Sequence, residues 1–415
     1  ATDAATLPAL SEPVTLRRSL GLGRMTLYGL GTILGAGIYV LTGAVAGRAG
    51  TAAPLSFLIA AAVAVLTGLS FAELCSRYPK SAGEALYVAR GFGREQLGTV
   101  VGILVLLTGV VSAATIAVGF HGYLNVFVEL PRWLAILGLM VVLTGVAAVG
   151  ISESVTVAAA ITVLEVGGLV AIVAVSGDAL AELPARAGEL FIPGGETAWL
   201  GVFAGGFLAF YAFIGFEDMV NVAEEVREPE RVMPRAILVA VATSTVLYVL
   251  VAAVAVLSLN TETLSSSERP MADIFTAATG RSPTIISAIS ILAVVNGALI
   301  QLVMGARVLY GLGKLGWLPA GLARVNPHTR TPLVATALVA VAVTVLAALV
   351  PLTTLAETTS FVILVVFTMV NAALWQLKRK QPDSPYRAPG WVPPLATIAC
   401  VAMLVGRGLM LVGLL

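Results

Sequence analysis

Residues 31–43 read GTILGAGIYVLTG, and residues 207–218 read FLAFYAFIGFED. Each lies in a stretch long and apolar enough to cross a bilayer. Each also carries a glycine-containing run that a continuous helix would not select. In hydrocarbon, an unwound backbone persists only where protein or a watery cavity satisfies its N–H and C=O groups. Two such breaks at corresponding places in two halves of a chain point to a substrate site near the membrane midplane. Gly31, Gly35 and Gly37 would also suit plain close packing of helices, but a second break at a matching place favours the site.

Composition agrees with a membrane setting. Of 415 residues, 58% are hydrophobic and 11% charged, too few charges to coat a soluble surface. Cys75 and Cys400 stand in or beside apolar runs far apart in sequence, so neither a disulfide framework nor a zinc site is expected. Residues 1–16 have no apolar core, and no cleavable signal peptide is expected.

Apolar runs of about 20 residues give eleven expected spans, near 25–46, 53–75, 97–120, 133–149, 155–175, 198–220, 236–257, 284–309, 333–350, 355–377 and 392–414. Arg407 falls inside the last. Of the other basic residues, eighteen lie on one side of the expected membrane, and Arg48, Arg132, Arg186, Arg269 and Arg281 lie on the other. The positive-inside bias therefore puts the N-terminus in the cytoplasm, and eleven spans would leave Leu415 outside. Five spans are an odd number, so spans 6–10 enter from the side opposite to spans 1–5. The expected fold is an all-α membrane protein of 5+5 inverted repeats with broken helices 1 and 6. Its expected parts are a cytoplasmic tail (1–23), a first repeat (24–176), an extracellular loop (177–197), a second repeat (198–380), and a loop with span 11 (381–415).

A break near Ile33, Gly35, Ala36 and Gly37 would present amides at the start of a half-helix, a setting that suits a carboxylate. A break around Tyr211 to Gly215 would present carbonyls for an ammonium group. Together they would recognise an α-amino acid without a charged side chain. Tyr211 and Phe213 are rings that could cap the ligand or simply pack. Glu165 lies in the middle of span 5, where an ionised carboxyl costs about 2.5–3.5 kcal/mol on insertion scales; it is a candidate proton carrier or a neutral link between helices. Glu217 directly follows the second break and is a candidate coupling group, whereas Asp218 is expected to be solvated in a cytoplasmic vestibule. Glu73 with Arg77 at i+4 is expected to be a local ion pair. No metal site, phosphate-binding loop or nucleophile constellation is evident. No extramembrane segment is long enough for a catalytic or nucleic-acid-binding domain.

Five pieces of sequence bear a family likeness: GAGIY in span 1, SFAELCSRYPKSAGEALY (70–87), FIGFED followed by AEEVREPERVMPRAI, ARVLYGLGKLGWLP (306–319) and LKRKQPDSPYRAPGWVP (377–393). In this order they resemble the amino acid–polyamine–organocation (APC) superfamily, whose members share the LeuT-like inverted-repeat fold. The resemblance implies that Gly35, Ala36 and Gly37 form the carboxylate-binding turn and that Ile33 contributes a carbonyl. It implies that Tyr211 is the aromatic lid, with the Tyr211 and Ile214 carbonyls facing the amino group, and that Glu217 is an acidic gate. Gln301, Ser112 and Ile116 match side-chain-contacting positions. Glu165 stands where many proton-coupled relatives place a lysine, which leaves a carboxyl-based switch or uncoupled exchange open. The family usually has twelve spans or more, where eleven are expected here.

The sequence thus leads to the expectation of an amino-acid permease working by alternating access, as a symporter or antiporter, with a proton as the candidate coupling ion and no cofactor. A polyamine or organic-amine carrier of the same fold is the nearest alternative; a membrane-embedded enzyme or channel is a more distant one. Expected partners are the amino acid and the lipid bilayer, with no nucleic acid, in a monomer or weak oligomer. Twenty Arg against four Lys, with abundant Ala and Val, fit a prokaryotic inner membrane.

Overall fold

The computed structural model describes residues 20–35, 37–80, 83–149, 155–314, 318–329 and 331–414. Among them the regular structure is helical, as lipid-facing backbone requires when its polar groups must be satisfied within one segment. The first half holds α1 (Leu22–Leu34), α2 (Gly37–Ala49), α3 (Ala53–Arg77), α4 (Gly83–Phe92), α5 (Glu95–Leu124), α6 (Arg132–Val149) and α7 (Val155–Val175). Two short helices follow, α8 (Gly177–Ala181) and α9 (Leu183–Phe191). The second half holds α10 (Glu196–Ala209), α11 (Pro229–Ser258), α12 (Thr261–Ser266), α13 (Pro270–Thr279), α14 (Thr284–Lys314), α15 (Leu333–Leu349), α16 (Leu352–Lys380) and α17 (Val392–Leu411).

Helix occupies every apolar stretch expected to span. Seven helical runs among the described residues, 20 to 41 residues long, are long and apolar enough to cross a membrane. Shorter apolar helices cover Arg132–Ala148, Ala159–Val175 and Leu333–Leu349. Val141 on α6, Val341 on α15 and Ile398 on α17 are more than 60% exposed, apolar surface of the kind lipid covers. The chain is a multi-pass membrane protein.

Both expected breaks are present. Helix stops at Leu34 and resumes at Gly37. In the second half, α10 tightens into a 3₁₀ turn at Phe210–Phe213; Ile214 is extended, and a further 3₁₀ run covers Glu217–Glu225. These interrupted segments lie inside the bundle. α1 packs on α7 and α11, α2 on α10, α3 on α10 and α11, and α5 on α14 and α16.

Charge is gathered in two networks. Glu73, fully buried, accepts from Arg77 at 2.6 Å, from Lys378 at 2.5 Å and from the Ala388 amide at 2.9 Å. The expected local pair with Arg77 is therefore part of a larger knot that fastens α3 to α16 and the loop after it. The second network centres on Glu357, which pairs with Arg48 at 3.0 Å and Arg407 at 2.6 Å. This neutralises the one basic residue expected inside a span, joining α2, α16 and α17. Leu20 is paired in parallel with Val226: its amide donates to Glu225 O, and its carbonyl accepts from the Arg227 amide. The end of the expected tail is thus tied to the chain beyond the second break.

Candidate substrate site

The two breaks meet backbone to backbone. A Cβ placed on Gly37 would lie 2.4 Å from Cα of Ala212, and one on Gly215 would lie 2.3 Å from the Thr32 carbonyl oxygen. Gly215 also has φ of 133°, a conformation open in practice only to glycine. Glycine is therefore required at the crossing, once from each break.

Three side chains hold the crossing. The Tyr248 hydroxyl, from α11, lies 2.8 Å from the Ile33 carbonyl and 2.9 Å from the Ala212 carbonyl. Its one proton is shared between an acceptor in each break. Glu217 reaches back to accept from the Gly215 amide at 2.8 Å, which caps the turn that the glycine makes. Phe213 packs edge-on against Tyr248 at 5.0 Å between ring centres; it is core rather than a cap over the site.

Beside the crossing lies a cavity of about 30 Å³, lined by Thr32, Ile33, Gly35, Gly37, Ser112, Ile116, Tyr211, Ile214, Asp218, Gly297, Ile300 and Gln301. This is room for about one or two waters. On its wall the Tyr211 hydroxyl lies 3.0 Å from Ser112 Oγ and donates to the Ser112 carbonyl at 3.2 Å. A second cavity of about 20 Å³ adjoins it, sharing Ile214, Asp218 and Gln301 and adding Val105, Leu106, Thr108, Gly109, Glu217, Met304, Gly305, Val308 and Ile363. Between the two, the Gln301 side-chain amide donates to Asp218 at 3.4 Å.

Among the expected binding residues, Ile33, Gly35, Gly37, Ser112, Ile116, Tyr211, Ile214 and Gln301 line this one cavity; Ala36 lies outside the described residues. The Gly35 amide donates to the Gly31 carbonyl at 3.2 Å, closing the last turn of α1. The amides without an intrahelical acceptor at this break are those of the first turn of α2, which opens at Gly37. Glu217 lines the second cavity, and Glu165 lines neither. Glu165 is buried on α7, where its backbone carbonyl accepts from the Tyr39 hydroxyl at 2.8 Å.

Asp218, expected in a solvated vestibule, is half-buried and lines both cavities, beside Glu217 in the 3₁₀ run that follows Gly215. Sequence reading also misses Tyr248, Thr32, Gly297 and Ile300. The spacing 297, 300, 301, 304, 305, 308 is one face of α14, but the helix is apolar all round, and nothing local marks that face. Glu84 is a further buried carboxyl, on α4, which packs against the run after the second break. Burial pushes it up to about 8, with repulsion from Asp218 adding to the effect and a backbone amide opposing it.

These features define a multi-pass membrane protein with a small central cavity beside paired helix breaks. A family model described as amino acid permease matches residues 20–412, and the chain belongs to that family. It is 29% identical to the branched-chain amino acid permease BcaP of Bacillus subtilis, over 97% of this chain and 90% of that protein. It is 31% identical to the vacuolar cationic amino acid transporter 4 of Arabidopsis thaliana, over 89% and 65%. A methylthioribose transporter of Bacillus subtilis is 27% identical over 95% and 88%. The APC likeness read from the five motifs is thereby established.

Proposed function

We propose that the protein is a secondary active transporter that carries amino acids across a prokaryotic plasma membrane by alternating access. The observation that carries this reading is the crossing of two backbone breaks beside a small cavity. The first turn of α2 offers amides to a carboxylate, and carbonyls of the second break offer acceptors to an ammonium. Tyr211 is the lid, and its bond to Ser112 must open for substrate to pass. Family membership and the relatives' names support amino acids as the cargo.

The packing supports a 5+5 inverted repeat of the LeuT-like kind in a chain that we read as eleven spans. When α1–α2 is exchanged for α10 with the turn after it, α3 for α11, α5 for α14, α6 for α15 and α7 for α16, the contacts of one half map onto those of the other. Thus α1–α11 answers α10–α3, α5–α16 answers α14–α7, α5–α15 answers α14–α6, and α5–α6 answers α14–α15. A two-fold relation of this type lets one repeat rock against the other around a fixed site.

For coupling, Glu165 is the candidate proton carrier, since it is buried in a span and ionisable groups there are functional by default. Purified protein in liposomes, given labelled amino acids with and without an imposed pH gradient, tests both parts. Saturable uptake of α-amino acids is expected, and Gly37→Ala should abolish it by driving Cβ into Ala212. Failure of every α-amino acid to accumulate or exchange would end the reading. Uptake indifferent to the gradient and to Glu165→Gln would leave exchange as the mode.

A further inference from the structure

We infer that Asp218 and Gln301 form a subsite for a positively charged side chain, so that the preferred cargo is an amino acid with a cationic, long side chain. This deepens the transport reading above and rests on it.

The first ground is charge. Among the described residues lining the two cavities, the ionisable carboxyls are Asp218 and Glu217, and no Lys, Arg or His joins them. The basic groups of the two ion networks pair elsewhere, Arg77 and Lys378 with Glu73 and Arg48 and Arg407 with Glu357. Glu217 is itself engaged by the Gly215 amide. Among the described residues, half-buried Asp218 accepts from a neutral side-chain amide at 3.4 Å, the long end of hydrogen-bond range, and a ligand cation would replace that amide with a charge-assisted bond.

The second ground is position. The α2 amide end at Gly37 faces only the first cavity, whereas Asp218 and Gln301 face both. A ligand held by its carboxylate at the break therefore points its side chain toward Asp218. The walls along that path include Ile116 and Ile300, with Leu106 and Met304 beyond, which suit a methylene stem. The two cavities share Asp218 and Gln301 in their walls. A short or branched apolar side chain would leave Asp218 without a cation, and a site built to pair a polar group of its ligand discriminates against ligands that lack it.

Arginine and citrulline have nearly the same shape and differ in charge, so they make the decisive pair. Full-length protein in liposomes is loaded with labelled arginine, and exchange is competed by arginine, citrulline, leucine and agmatine. Arginine should half-saturate at a concentration at least tenfold below citrulline. Asp218→Asn should collapse that ratio toward one, while Asp218→Glu keeps it. Ligand-induced thermal stabilisation of the wild type in detergent gives the same ranking without any variant, should the Asn form not fold. Equal potency of arginine and citrulline, preference for leucine, or an unchanged ratio in Asp218→Asn would overturn the subsite and leave amino-acid transport standing. Agmatine matching arginine would instead overturn the carboxylate turn, and with it the amino-acid reading.

Discussion

At the scale of single residues, Tyr248 does the work of a clasp. Its hydroxyl joins carbonyls 33 and 212, which belong to different breaks, so one phenol fixes the spacing of both. Tyr248→Phe keeps the ring against Phe213 and Phe57 but removes the donor. Leaving buried acceptors short of a partner costs about 1–3 kcal/mol. A lower midpoint of thermal unfolding in detergent is expected, with weaker substrate stabilisation. Glu84 gives a pH signature. Its folded carboxyl titrates near 8 against 4.5 for the ordinary group, so between those values the folded chain holds the proton more tightly. Its contribution to stability therefore falls as pH rises from about 4.5 to 8 and levels off beyond. Glu84→Gln should flatten that part of the profile, gaining on the wild type at pH 8 and not at pH 4.5. Neither residue announces itself in sequence: Tyr248 is one ring in an apolar run, and Glu84 sits in what reads as a surface turn.

At the scale of elements, helix ends are locked by ions and helix centres by glycines. Arg77 four residues after Glu73 is visible in sequence as a local pair. Lys378 and the Ala388 amide come from some three hundred residues away, and only folding brings them in. Glu73→Gln retains the shape while removing the fully buried counter-charge of two half-buried cations. A loss of about 3–5 kcal/mol is expected, the usual cost of breaking a buried pair, read as a fall in the unfolding midpoint; an unchanged midpoint would show the knot to be incidental. The breaks were legible as elements because glycine and clustered aromatics disturb an otherwise uniform apolar run. Their winding was not: the 3₁₀ run over Glu217–Glu225 follows a glycine whose backbone lies against that of Thr32, far away in sequence.

At the scale of the whole molecule, alternation of the loops between two faces is the testable feature. Cys75 and Cys400 are both buried and free, so they will resist impermeant thiol reagents, and single cysteines can be added to the native chain. The basic-residue asymmetry puts residue 384 in the cytoplasm and residue 189 outside. In right-side-out vesicles, Glu189→Cys should label and Ser384→Cys should not, with the order reversed in inverted vesicles. Labelling of both from one side would remove the expected topology.

Sequence by itself determined that this chain lives in a membrane, where its helices run, where two of them break and which family it joins. Those properties follow from run length, local composition and short motifs, all of which are read along the chain. The tertiary structure decided which way each helix faces. In spans that are apolar on every side, no periodicity reports rotation about the axis; packing alone sets it, and packing turned Asp218 into the cavity, Tyr248 onto both breaks and Lys378 onto Glu73.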